Sequence, residues 1–249
     1  MSGSIVVLEA VDRPADVSEL AVCGLPAPMH GIRLWLVDLG GQLCTASDSW
    51  LSAGELDRAA RFVFARDARR YRAAHVALRR LLLQHCGLRA AAEFEIGDHG
   101  KPRAGLSPQF EFNLSHSGEK ALIGIDQGQG DGIGVDIESM RCIEDVWPLA
   151  EQHFSEGEYR ELHAVPQVDV ARAFLLGWTR KEACLKALGC GLSVAPASVE
   201  VGLKPDAREV VVATPAGPAP VWVSSVKVGV DMLAAVARVS RSSPTRIST

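Results

Sequence analysis

The chain has 249 residues and a mass of 26.6 kDa, enough for one large domain or two of half that size. Twenty-six Lys and Arg against thirty Asp and Glu leave a net charge of −4, with no basic run longer than Arg69-Arg70 and Arg79-Arg80. That excludes a nucleic-acid binder held mainly by phosphate contacts, and a content of 47% apolar and 22% charged residues excludes a disordered chain.

No stretch approaches the roughly 20 apolar residues of a membrane span. The first residues lack the basic start and long apolar run of a signal peptide, which leads us to expect a cytoplasmic protein. Six cysteines (Cys23, Cys44, Cys86, Cys142, Cys184, Cys190) form no C-x-x-C pair, which argues against zinc and for free thiols.

In chain order, the first strong pattern is a helix over about 67–86. Its apolar face is Tyr71, Ala74, Leu78, Leu81 and Leu82, and Gly87 stops it. A short strand over 94–97 follows, then two strands over 110–114 and 120–126. Residues 128–134 hold four glycines and read as a link. The plan then repeats: a helix over 170–188 stopped at Gly189, a short strand over 199–202, and two strands over 221–226 and 232–239. The segment 214–220, with three prolines, reads as a hairpin loop. The expected fold is therefore α+β, an internal duplication giving two pseudo-symmetric helix-plus-antiparallel-sheet halves. Residues 1–130 make one half and 131–240 the other, with a flexible tail at 241–249. A cleft between such copies is where a ligand site is expected.

Two signatures lie at this seam. In Gly134-Val135-Asp136-Ile137-Glu138, strand alternation puts both acids on one face and Val135 and Ile137 on the other. In the second helix, Trp178, Glu182 and Lys186 recur at i, i+4 and i+8 and share a stripe. Three carboxylates and a lysine directed at one point suit a divalent cation and a diphosphate, because Mg²⁺ takes carboxylate and phosphate oxygens. Taken singly, each motif has an ordinary reading: a solvated strand face, or a surface Glu–Lys pair contributing about 0.2–0.5 kcal/mol. Trp178 reads as core packing behind the acids.

The ordered set of motifs resembles the Sfp-type 4'-phosphopantetheinyl transferase family. The residues that carry the resemblance are the basic segment 58–68, Gly100-Lys101-Pro102, Phe112-Asn113-Leu114-Ser115-His116-Ser117, Gly134 to Glu138, His153 to Glu158, and Trp178 to Lys186. The resemblance implies that coenzyme A, with Mg²⁺, donates its phosphopantetheine arm to a serine of an apo acyl or peptidyl carrier protein, releasing adenosine 3',5'-bisphosphate. It implies Asp136, Glu138 and Glu182 as metal ligands and Lys186 at the diphosphate. Arg58, Ser115 and His116 would contact phosphates, with Arg61 and Arg70 as weaker candidates, and Lys101 would lie near the adenosine end. Glu182 and Lys186 are the expected catalytic pair, Glu182 taking the serine proton.

The chain departs from relatives at Glu55, where some carry a basic residue, and at Lys120, where an aromatic is frequent. Two alternatives stand beside this reading: an inactive module that holds coenzyme A or a carrier, and a metal-dependent nucleotide diphosphate hydrolase. A monomer is expected, with no nucleic acid or membrane partner and with carrier docking around Leu185, Leu188 and Leu192. Which carrier is served (fatty acid, polyketide or non-ribosomal peptide) is not written in the sequence.

Overall fold

The computed structural model describes residues 21–40, 45–89, 91–96, 101–103, 110–128 and 132–240. The expected tail at 241–249, residues 129–131 of the link over 128–134 and Gly100 lie outside these residues, and the link's last two residues, Ile133 and Gly134, belong to a strand. Among them run β1 (Val22–Leu25), β2 (Ile32–Asp38), α1 (Ala53–Ala60), α2 (Ala65–Cys86), β3 (Glu95–Ile96), β4 (Pro102–Arg103), β5 (Glu111–Ser117) and β6 (Lys120–Asp126). Then come β7 (Ile133–Ser139), α3 (Val146–His153), α4 (Glu156–His163), α5 (Val170–Leu188), β8 (Arg208–Thr214), β9 (Gly217–Ser225) and β10 (Met232–Val239).

Two four-stranded antiparallel sheets result, ordered β1-β2-β6-β5 and β7-β10-β9-β8. Within them β2-β6-β5 and β7-β10-β9 have the same connectivity, and α2 and α5 fall at matching places in the two halves. The duplication expected from sequence is thus present in the topology. β1 and β8 are additions at one edge of each sheet.

Period-two alternation explains the layering. On β2 and β6, Trp35, Val37, Ala121, Ile123 and Ile125 pack against α2, while Ile32, Leu34 and Leu122 face the other way. There they meet Ile133, Val135 and Ile137 of β7 with Ala234 and Val236 of β10. The alternate residues Ala235 and Ala237 of β10 join Val221 and Val223 under α5. The sheets are therefore sandwiched between α2 and α5. A buried ion pair, Arg238 Nε to Asp126 Oδ2 at 2.8 Å, ties the last strand of one half to the last strand of the other.

α2 and α5 end as their sequences require: Gly87 and Gly189 are left-handed caps with φ of 69° and 65°. Three expectations need correction. No strand forms over 199–202, because its backbone groups are taken by side chains. Glu158 accepts the N–H of Val201 (2.8 Å) and Gly202 (3.0 Å), Lys181 donates to the Val199 carbonyl (2.5 Å), and Arg180 to that of Val201 (3.0 Å). The proline-rich stretch is only partly a loop: Pro218 and Pro220 lie in β9, paired with Ala213 and Val211 of the edge strand β8. Leu185 is not a surface residue. It is 5% exposed and sits in the core beneath α5, with Leu188 half-buried against the same cluster. The side chain of Leu192 lies outside the described set.

Candidate active site

The site begins with a close approach of backbone. Gly134 shares its strand face with Asp136 and Glu138, and a Cβ placed on it would overlap the Ala183 carbonyl oxygen of α5. A Cβ on Gly132 would likewise overlap the Ala187 carbonyl oxygen. Only glycine at these positions lets α5 lie directly on β7. The two acids consequently face the helix that carries Glu182 and Lys186, while Val135 (0% exposed) and Ile137 (1%) anchor the opposite face.

β7 also runs beside β5, joined by side chains rather than by a backbone ladder. Asn113 Oδ1 accepts the Val135 N–H (2.8 Å), Ser115 Oγ donates to Asp136 Oδ1 (2.9 Å), and Ser117 Oγ donates to Glu138 Oε2 (3.1 Å) and accepts the Ser139 N–H (3.0 Å). Asn113, Ser115 and Ser117 alternate along β5, so a single face of the Asn-Leu-Ser-His-Ser motif forms this seam. His116 points the other way, into the cavity described below.

Lys186 completes the arrangement. Its ammonium lies 2.6 Å from Asp136 Oδ1 and 3.1 Å from Ser115 Oγ. Asp136 is 4% exposed, and its second oxygen, Oδ2, is buried with no hydrogen-bond partner. Burial pushes its carboxyl up to about 6, against the opposing pull of Lys186 and Ser115, and Glu138 pushes the same way as burial. Glu182 is also raised, first by burial and then by the charge of Glu138, with Lys186 opposing. The three acids thus feel one another.

They are not, however, drawn onto one point. Among the described residues, no three acidic, histidine or cysteine side chains are gathered closely enough to form a ready metal centre. Glu138 is turned to Ser117 and to Arg141, whose Nη1 lies 2.7 Å from Oε2. Like charges hold apart unless something positive joins them, and here Lys186 and Arg141 supply that charge. Arg141 was not anticipated from sequence, although a basic residue three positions after Glu138 was a signal.

A cavity of about 830 Å³ opens beside the seam, lined by α1, α2, β5 and the segment between them. Arg58, Arg61, His75 and His116 give it basic groups; Phe62, Tyr71 and Phe94 give it rings. Arg58 lies over the Tyr71 ring at 5.9 Å, and His75 stacks on the same ring at 4.0 Å. His116 is made less basic by desolvation and then by the neighbouring His75, Lys186 and Arg70. His75, Tyr71 and Phe94 are site residues that sequence reasoning missed. Tyr71 was read as core, and it is buried, 7% exposed, while also lining the cavity. Arg70 is engaged by Glu119 and Asp67.

Glu55 and Lys101 have other partners. Glu55 closes the capping box of α1 with Ser52 and pairs with buried Arg79 (2.7 Å) and with His75 (2.7 Å). Its place on the cavity wall is therefore set by the fold. Lys101 Nζ, with its side chain 9% exposed, donates to the carbonyls of Ile133 (3.0 Å) and Ala187 (3.2 Å) and faces Glu111 at 3.5 Å. It straps β7 to the end of α5. Trp178 packs against His153 and Phe174, as expected for a core residue.

Residues 132–237 match the family model of the 4'-phosphopantetheinyl transferase superfamily. Similar proteins include the 4'-phosphopantetheinyl transferase HetI of Nostoc sp., 33% identical over 180 residues, covering 70% of this chain and 75% of that one. The transferase psf-1 of Bacillus pumilus is 34% identical over 60% of this chain and 63% of its own. Sfp of Bacillus subtilis is 30% identical over 64% of this chain and 70% of its own. On this kinship, the chain belongs to the 4'-phosphopantetheinyl transferase family.

Proposed function

We propose that this chain transfers the 4'-phosphopantetheine arm of coenzyme A to a serine of an apo carrier protein, with Mg²⁺ held by Asp136, Glu138 and Glu182. The observation that carries the metal assignment is the buried, unpartnered Oδ2 of Asp136, a few ångströms from Lys186 and on the α5 side of β7. A carboxylate oxygen removed from water with no donor is costly unless a cation completes it. Bound there, Mg²⁺ would supply positive charge to offset that of the diphosphate being cleaved.

The chain's own residues divide the remaining work. Arg58, with Arg61 and His116 lining the same cavity, offers positive charge for the phosphates of coenzyme A. Lys186 can swing from Asp136 to the bridging oxygen of the diphosphate, where negative charge grows as the P–O bond breaks and positive charge is most needed. Glu182, made more basic by burial and by Glu138, accepts the proton of the attacking serine. The serine oxygen forms a bond to the phosphorus bearing the pantetheine, and the bond from that phosphorus to the oxygen bridging the diphosphate breaks. Adenosine 3',5'-bisphosphate leaves with that bridging oxygen. Positioning and charge dominate such a reaction, because phosphoryl transfer asks little covalent chemistry of the protein.

The test is mass spectrometry of apo carrier proteins incubated with the enzyme, coenzyme A and Mg²⁺. A mass gain equal to phosphopantetheine supports transfer. No gain across fatty-acid, polyketide and non-ribosomal-peptide carriers favours a binding module, and phosphopantetheine released without any carrier favours a hydrolase. The chain is proposed to act as a monomer in the cytoplasm, since both sheets and the seam are built within one chain. No helix among the described residues is long and apolar enough to cross a membrane.

A further inference from the structure

Two strand acids at the seam are each occupied by a cation of the chain itself: Asp136 by Lys186 at 2.6 Å and Glu138 by Arg141 at 2.7 Å. The environments of the two pairs differ from an ordinary surface contact such as Arg66 with Asp67. Asp136 and Glu138 have side chains 6% and 20% exposed and are fixed by Ser115 and Ser117, whereas their cationic partners are 30% and 54% exposed and reach outward. The acids are thus held and the bases are movable.

Resting on the metal reading given above, we propose that Lys186 and Arg141 are built-in counter-ions that make the divalent cation and the diphosphate of coenzyme A bind cooperatively, with Arg141 acting as a brake on binding of the cation alone. A cation arriving by itself meets two positive groups already seated on its carboxylates. A diphosphate arriving by itself draws Lys186 away and leaves Asp136, 4% exposed, as a buried anion with neither oxygen paired to a charge. Arriving together, each removes the other's obstacle: the diphosphate takes Lys186 and draws the exposed Arg141, and the cation takes the carboxylates. Linkage then requires that coenzyme A tighten the metal by the same factor by which the metal tightens coenzyme A.

Arg141 offers the cleaner handle. Its guanidinium is more than half exposed and touches Glu138 only three residues away, so replacing it leaves the core intact. The experiment titrates Mn²⁺ onto the full chain by electron paramagnetic resonance, alone, with coenzyme A, and with adenosine 3',5'-bisphosphate, which lacks the diphosphate. The wild type, Arg141→Gln and Arg141→Lys are compared. Coenzyme A is expected to tighten Mn²⁺ at least about fivefold in the wild type, and the bisphosphate to do so far less. Arg141→Gln is expected to tighten Mn²⁺ alone by about threefold to tenfold and to shrink the coenzyme A effect, while Arg141→Lys retains the wild-type pattern. Wild-type affinity and coupling in Arg141→Gln, or weaker Mn²⁺ binding, would overturn the proposal. A separate control isolates the reading beneath it: Mn²⁺ binding that survives undiminished in Asp136→Asn, or that never occurs even with coenzyme A, removes the metal site itself.

Discussion

Lys186 and Asp136 stand fifty positions apart in the chain, yet their charged atoms meet at 2.6 Å, on a carboxylate whose other oxygen has no partner. The pair seats a cation from the end of α5, its side chain 30% exposed, on the most deeply buried acid of β7.

Replacing that acid is expected to separate activity from stability. Asp136→Asn keeps the shape and an oxygen for Ser115 and Lys186 but removes the charge. Burial holds this carboxyl up at about 6, so at neutral pH the folded state bears the cost of an ionised buried group. Transfer activity should fall by at least about a thousandfold, and thermal denaturation at pH 7.5 should show a melting temperature equal to or above that of the wild type. A large drop in melting temperature would mean that the charge is structural.

Lys186→Ala should lower turnover by about a hundredfold or more while weakening coenzyme A binding far less, because its charge matters most as the diphosphate bond breaks. Steady-state kinetics alongside calorimetric titration of coenzyme A separates the two effects. Equal losses in both would make Lys186 a simple binding residue.

Glu55 gives a pH dependence with a defined sign. Burial alone would raise its carboxyl, but hydrogen bonds from His75, the Ser52 N–H and Arg79 more than offset this and hold it below its ordinary 4.5. A carboxylate lowered in the folded state adds stability above its unfolded pKa and loses it as pH falls through the lower folded value. Glu55→Gln leaves Arg79, 1% exposed, without its counter-charge and should cost about 3 kcal/mol in urea denaturation at pH 7. The gap to the wild type should narrow below about pH 4, as the wild-type carboxyl itself takes up a proton.

Glu158 and Lys181 form the most deeply buried ion pair of the second half, with side chains 1% and 0% exposed. Glu158→Gln should destabilise by about 3–5 kcal/mol, since Lys181 is left in the core without its counter-charge. Residual folded protein should keep a near-normal KM for coenzyme A. A raised KM with unchanged stability would instead put this pair in the site.

Lys101 is expected to behave as a strap. Lys101→Met should lower stability by about 1–3 kcal/mol by orphaning the Ile133 and Ala187 carbonyls. The KM for coenzyme A tests the alternative: a rise of tenfold or more without loss of stability would mark Lys101 as a ligand of the adenosine end.

Local pattern carried much of this molecule. Helical periodicity and a following glycine placed α2 and α5, and strand alternation correctly put Asp136 and Glu138 on one face. Two capping boxes, Ser52 with Glu55 and Ser155 with Glu158, were present in the sequence as Ser-x-x-Glu and mark the starts of α1 and α4. What local pattern could not supply is which polar groups find each other across the fold. The 199–202 segment has a strand's composition, but Glu158, Lys181 and Arg180 claim its backbone. Lys101 has a surface residue's composition, but two carbonyls claim its ammonium. The acids' spacing is written in β7, whereas the cations seated on them arrive from α5 and from beyond the strand's end. The sequence determines periodicity, and hence elements and faces, because these depend on neighbours a few residues apart. Tertiary structure alone decided that Asp136 pairs with Lys186, because the packing of α5 on two glycines brings that cation within reach of a buried carboxylate.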